Sequence, residues 1–429
     1  MQIRNNDNKL AAIFLTLLFP FGGLIYTLNN WRATWAKNTF WLACIFLGAV
    51  QIYCPAGEIL GSGSDGGRYV LRLMAMYGSN ITMKSILAQY LIDPNIMDLY
   101  FPLMSFLISR FTDNGHILFA SFAIVFGYFY SRNIWYILER IPNKKLGYLI
   151  IFVILFFLVN PITHINGVRY NTAVHIFVYA LLPFLLENDR SRIWWLIAVP
   201  FVHFSFLYVV ILAAVYVLLP KSTRYNGRSF LTFSLIIFIA SMFINSVNLS
   251  SVNSVLEEFS PEAYEERIDS YVNETTAANI SEKAEALNWY VGASGVIKNW
   301  SYSILLVFLY GCFKRNPQVC NQFRNLYSFT LLFGAVANLM ALVPSGGRFQ
   351  LVAHMLYLAL FLLVATRISA KDNFRGAVDY ALIFLLIPMI VDIRRLFDCY
   401  SITAILGNFI TVFFWENNVP LITFIKMIF

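Results

Sequence analysis

HILFASFAIVFGYFYSRNIWYIL, residues 116–138, is the stretch that decides the fold. It is long enough to cross a bilayer core, which takes about 20 helical residues, and Arg132 is its one Lys, Arg, Asp or Glu. Arg140, Lys144 and Lys145 follow at once, and by the positive-inside rule that cluster faces the cytoplasm. Nine further apolar runs lie around it, at 10–28, 39–53, 147–162, 171–186, 229–247, 300–313, 326–343, 349–366 and 377–392. The shortest of them must borrow polar flanks to span.

Composition agrees. The 429 residues are 59% hydrophobic, 17% aromatic and 13% charged, with a mean hydropathy of +0.65, which excludes a soluble core and describes an all-α, polytopic integral membrane protein. The net charge of +8 would suggest nucleic acid in a soluble chain. Here the basic residues fall mostly in short loops, so they orient the chain and no nucleic-acid partner is expected. Cys44, Cys54, Cys312, Cys320 and Cys399 show no CxxC spacing and no neighbouring histidines, and read as structural thiols. Arg4 and Lys9 precede an apolar run without a small-residue cleavage pattern, so the first helix is expected to be retained.

Lys314, Arg315 and Arg324 mark a second cytoplasmic loop. The 248–299 loop is acidic and long, which suits the outer face, and Ser260-Pro261-Glu262 inside it reads as a helix start. Residues 193–219 are apolar throughout, yet Arg190 and Arg192 on one flank and Lys221, Arg224 and Arg228 on the other both look cytoplasmic. A re-entrant hairpin with its tip near Pro200 to His203 resolves the conflict, because non-helical backbone at depth requires a protein or water lining. The tail from Leu396 is apolar but broken by Gly407, Asn408, Glu416 and Pro420, so its path is left open. With the hairpin and tail, about 10–12 transmembrane helices are expected in a single domain, residues 1–429.

This topology gathers polar residues at the outer face. There lie the 54–115 loop with Gly63-Ser64-Asp65-Gly66-Gly67-Arg68-Tyr69, the 164–170 segment with His164, Arg169 and Tyr170, the hairpin tip with His203, the Pro344–Arg348 turn, and Arg394 with Arg395. Ionisable groups at membrane depth cost roughly 2.5–3.5 kcal/mol each, so such a gathering signals function. Glycine beside arginine at a helix end puts exposed backbone next to a fixed positive charge, a combination that holds phosphate. The expected ligand is therefore a pyrophosphate lipid.

Arg169 and Arg348 are the main candidate clamps, with Arg68, Arg394 and Arg395 assisting; the plainer alternative for each is snorkelling to headgroups. Asp65 is the candidate general base, against a role as loop cap or ion partner of Arg68. His203 and His164 are alternative bases or phosphate donors, against simple packing. His175 and His354 lie within apolar runs, where hydrogen bonding between helices is expected. Tyr69 and Tyr170 would stack on sugar or mark the membrane interface. No DxD pair, GxxxxGK[ST] loop or HExxH motif is present, and Glu187-Asn188-Asp189 falls on the cytoplasmic side, so no metal or cofactor is called for.

GxDxxxY at Gly63, Asp65 and Tyr69, RxxxA at Arg169 and Ala173, HxSxL at His203, Ser205 and Leu207, and the late arginine Arg348 occur in this order. The chain resembles the EpsG/Wzy-like polysaccharide polymerases. The resemblance implies a GT-C-like membrane glycosyltransferase in the bacterial inner membrane with a periplasmic site. Its donor and acceptor would be undecaprenyl-pyrophosphate-linked oligosaccharides, joined into surface polysaccharide such as O-antigen, with membrane lipids and a chain-length regulator as further partners. A lipid-linked oligosaccharide flippase and an O-antigen ligase are the competing readings. The absence of an internal repeat weighs against the first, and only the acceptor separates the second.

Overall fold

A computed structural model describes residues 8–54, 60, 65–92, 98–220, 228–246, 288–368, 374–414 and 418–428. Gly63, Ser64 and most of the acidic loop, including the helix start expected at Ser260, lie outside the described residues. All ten apolar runs are helical. The first is split by Pro20 into α1 (Lys9–Leu18) and α2 (Pro20–Asn29), and α3 is Ala36–Ala49. Within the 54–115 segment lie α4 (Asp65–Met76), α5 (Met83–Ile92) and α6 (Tyr100–Ser109). Then come α7 (Gly115–Leu138), α8 (Asn143–Val159), α9 (Val168–Glu187), α10 (Ile193–Val202), α11 (Phe206–Leu218) and α12 (Arg228–Met242). The last part holds α13 (Trp289–Arg315), α14 (Pro317–Met340), α15 (Phe349–Ala365), α16 (Phe374–Cys399), α17 (Thr403–Leu406) and α18 (Leu421–Ile428).

Four helical stretches are long and apolar enough for a full crossing: Gly115–Leu138, Leu149–Glu187 (α8 and α9 with the turn between them), Trp289–Arg315 and Gly346–Ala365. The other runs form shorter or more polar helices. The chain is thus an all-α polytopic membrane protein. Helix α13 begins at Trp289, well before the apolar run from residue 300. Lys298 therefore belongs to the bundle and not to the loop, its charge having hidden the helix start from a hydropathy reading.

Local sequence explains the main boundaries. Asn114 caps α7 by accepting from His116 N at 2.8 Å and Ile117 N at 3.4 Å, which satisfies two backbone donors that the first turn leaves open. Small residues let helices touch. A Cβ on Gly127 of α7 would stand 2.8 Å from Cys44 Cβ of α3, so glycine sets that close approach.

Buried polar side chains cross-link the bundle, as apolar packing alone gives little helix-to-helix specificity in lipid. His175 Nε2 donates to Asn160 O at 2.9 Å, and Asn133 Nδ2 donates to His175 O at 2.9 Å. His354 Nε2 meets Asn299 Oδ1 at 3.2 Å, so both buried histidines bond between elements as expected. Tyr327 OH donates to Leu306 O at 2.6 Å, and Asn325 Nδ2 to Leu185 O at 3.1 Å.

The bundle has two electrostatically different ends. At one, Arg140 pairs with Glu187, Lys37 lies 3.4 Å from Glu139, and Arg192 pairs with Asp189 at 2.9 Å. Both acids of the Glu187-Asn188-Asp189 motif are therefore engaged with basic neighbours. The opposite end carries Arg169, the 344–348 turn and the last turns of α16. Residues 193–219 form two helices that meet at His203–Ser205. Arg192, just before α10, lies over Tyr179, the His203 ring meets Tyr170, and Tyr216 OH late in α11 donates to Asn325 O at 2.7 Å.

A guanidinium cluster and a charged cavity at one end of the bundle

Arg169 occupies the first turn of α9 and Arg348 stands immediately before α15. Unpaired backbone N–H groups give helix N-termini a partial positive charge, and here two such ends meet. Tyr170 OH donates to Arg348 O at 2.7 Å, which fastens the start of α15 to the start of α9. The Arg348 guanidinium lies 5.5 Å from the Tyr170 ring centroid, and its Nε donates to Ser345 O at 2.8 Å. Ser345 holds a left-handed backbone, φ +62°, that turns the chain so the arginine points back along it.

Arg169 is fixed by a residue that motif reading missed. Asp98, just ahead of α6 and almost fully buried, accepts from Arg169 Nη1 at 2.9 Å and from Phe204 N at 2.7 Å. Leu99 N donates to Phe201 O at 3.0 Å, so the 98–99 backbone also closes the end of α10. An acid standing at the edge of the apolar stretch Leu99 to Ile108 was the available signal for Asp98.

Helix α4 completes the cluster. The Tyr69 hydroxyl hydrogen-bonds Arg169, and its ring lies 4.4 Å from that of Phe101. Burial raises the Tyr69 phenol above its ordinary value, with the Arg169 charge opposing, so it stays a neutral hydroxyl. Arg72, also unremarked in the sequence, lies over Phe101 at 5.4 Å, with burial and then Arg169 lowering its pKa. Asp65 and Arg68 form an ion pair near the surface, with side chains 46% and 63% exposed. Asp65 is thus both the solvent-facing carboxylate of the cluster and the ion partner of Arg68. Gly66 is buried instead of presenting backbone to a ligand: a Cβ there would stand 2.6 Å from Asn166 Oδ1 and 3.1 Å from Phe119 Cζ. It lets α4 seat against the 162–167 segment.

His203 joins this cluster at its rim. Its ring meets Tyr170 edge-on at 5.3 Å, and its Nδ1 accepts from Ser205 N at 3.2 Å. The HxSxL spacing is therefore a turn that closes on itself as well as a placement of imidazole beside Tyr170.

His164, Arg394 and Arg395 are placed elsewhere. His164 looks to the other side of the 162–167 segment, into a cavity of about 490 Å³ shared with Lys298, Gln350, His354, Asp392 and Arg395. His164 Nδ1 lies 2.9 Å from Asn160 Oδ1. Lys298 Nζ is bidentate on Asp392, at 2.6 and 2.9 Å, with both side chains largely buried. Arg394 is held by Asp398 at 3.0 Å and lies over Tyr290. The expected single group of residues is thus two sites separated by the 344–348 turn: Gly347 lines the cavity while Arg348 faces Tyr170.

Fold and site together define a polytopic helical membrane protein with fixed guanidinium groups at one end of its bundle. The profile of the EpsG family matches residues 52–402, a span that contains both sites, and the chain belongs to that family. Membership supports a polysaccharide-polymerase-like role. No curated protein and no solved structure matches the chain.

Proposed function

We propose that the protein is a glycosyltransferase that lengthens a bacterial surface polysaccharide at the periplasmic face of the inner membrane. It would move a glycan from an undecaprenyl-pyrophosphate donor to a lipid-linked acceptor. The observation that carries this reading is the junction of α9 and α15, where two helix N-termini, each bearing an arginine, are tied by the Tyr170–Arg348 hydrogen bond. Such a junction suits a pyrophosphate.

In the proposed reaction the acceptor hydroxyl oxygen attacks the anomeric carbon, and the bond from that carbon to the pyrophosphate oxygen breaks with its electron pair. Arg169 and Arg348 meet the charge growing on the leaving group, a preorganised form of stabilisation worth about 10²- to 10³-fold for a single donor. The hydroxyl proton passes to a carboxylate. Asp65 suits that task because it faces solvent, whereas buried Asp98 is engaged in positioning Arg169 and the 203–205 turn. Tyr69 and Tyr170 flank the guanidinium groups, where they can pack on sugar.

The test is a gel of surface polysaccharide from cells lacking the protein, complemented with the native chain or with Arg169→Ala. A ladder restored only by the native chain, with single repeats in the variant, supports the reading. Loss of even the single repeat would point to transport or ligation instead.

A further inference from the structure

Lengthening a lipid-linked glycan with another lipid-linked unit puts two isoprenoid pyrophosphates on the enzyme at once, and the Arg169–Arg348 junction accounts for one. We propose that the cavity between α8, α13, α15 and α16 is the second isoprenoid-pyrophosphate site and holds the acceptor. The inference rests on the polymerase reading for the identity of its ligand.

Charge accounting favours an anion. Lys298 and Asp392 neutralise each other, as do Arg394 and Asp398, which leaves Arg395 with no ion-pair partner among the described residues. His164 and Gln350 add hydrogen-bonding side chains. A phosphate oxygen could share Lys298 with Asp392 at little cost, since that ammonium has already been desolvated in the folded bundle. The opposite wall is apolar, formed by Leu158, Val159, Leu351 and Leu396. An ionic wall facing an apolar one fits a charged head joined to an isoprenoid chain better than a free anion. The volume of about 490 Å³ is in the range of small-ligand sites, roughly 300–1,000 Å³. An acceptor keeps its pyrophosphate through the reaction, so its site needs to bind and not to stabilise a leaving group. A largely neutralised cavity beside a more strongly cationic cluster matches that division.

Gly295 gives a clean probe. It lines the cavity, and a Cβ built on it meets nothing within 4 Å, so Gly295→Phe fills the space without displacing neighbours. The experiment is equilibrium binding of radiolabelled geranylgeranyl pyrophosphate to the purified full chain in nanodiscs. The native protein is expected to bind two equivalents, Gly295→Phe one, Arg169→Ala one, and the double variant none. Arg395→Ala should remove the same equivalent as Gly295→Phe, by charge instead of volume. One equivalent on the native chain, or two on both Gly295→Phe and Arg395→Ala, would overturn the proposal. Displacement of the cavity-bound probe by inorganic pyrophosphate as effectively as by the lipid form would also overturn it. The two readings fail separately: a chain that is not a polymerase fails the polysaccharide ladder whatever the binding count, whereas a wrong cavity assignment leaves the ladder intact in Gly295→Phe.

Discussion

The Asp98 carboxylate lies 2.9 Å from the Arg169 guanidinium and 2.7 Å from the Phe204 amide. One buried acid thereby sets both the clamp at the start of α9 and the turn between α10 and α11. Removing one member of a buried ion pair costs about 3–5 kcal/mol, because the other charge is left unpaired. Asp98→Ala should therefore lower thermal stability in detergent and abolish glycan lengthening. Asp98→Asn, whose carbonyl oxygen can still accept from Phe204 N, should melt between the two and lengthen weakly. Equal melting of Asn and Ala variants would contradict a separate role for the amide bond.

Lysine should not replace either clamp. Arg169 and Arg348 present planar forks, and an ammonium lacks the bidentate geometry that matches phosphate. Arg348→Lys and Arg169→Lys are each expected to lower the lengthening rate about 10²-fold or more with the protein still inserted. Full activity in Arg348→Ala would remove that residue from the site.

Tyr170 links the two arginines through its hydroxyl. Tyr170→Phe deletes the 2.7 Å bond to Arg348 O and retains the ring against His203. A net loss of about 1 kcal/mol in stability is expected, and the larger effect should be on lengthening, since the α15 start is no longer held to α9. Unchanged lengthening in this variant would show that the junction needs no such tie.

Lys298 and Asp392 should behave as a coupled pair. Lys298→Met or Asp392→Leu alone leaves a buried charge, whereas the double variant removes both, so the double should be more stable than either single. Thermal melts of the four proteins close the cycle, and simple additivity would mean the two side chains do not interact.

The site end should face away from the cytoplasm. A cysteine at Asp113, an exposed position just before α7, should react with an impermeant thiol reagent applied from outside, and one at Arg190 should not, both measured above the background of the native cysteines. The reverse pattern would put the site on the cytoplasmic face.

Apolar runs were legible in the sequence because each spans its helix locally, and the arginines were legible because glycine and polar residues mark helix ends. Their partners were not. Arg169 and Asp98 are 71 positions apart, and Lys298 and Asp392 are 94 apart; no periodicity connects such pairs. The same limit explains His164 and Arg169, five positions apart in sequence yet facing different sites, since the short helical turn at 162–167 rotates the chain between them. Lys298 escaped notice because a lysine paired by a distant acid reads as a loop residue until the acid is in view.

The most direct measurement is made on the purified chain in vesicles supplied with a lipid-linked repeat unit, following product length and free polyprenyl pyrophosphate together. The account predicts growing chains with one pyrophosphate lipid released per unit added, and neither in Arg169→Ala. Movement of the intact lipid-linked unit across the bilayer with no lengthening and no release would contradict it.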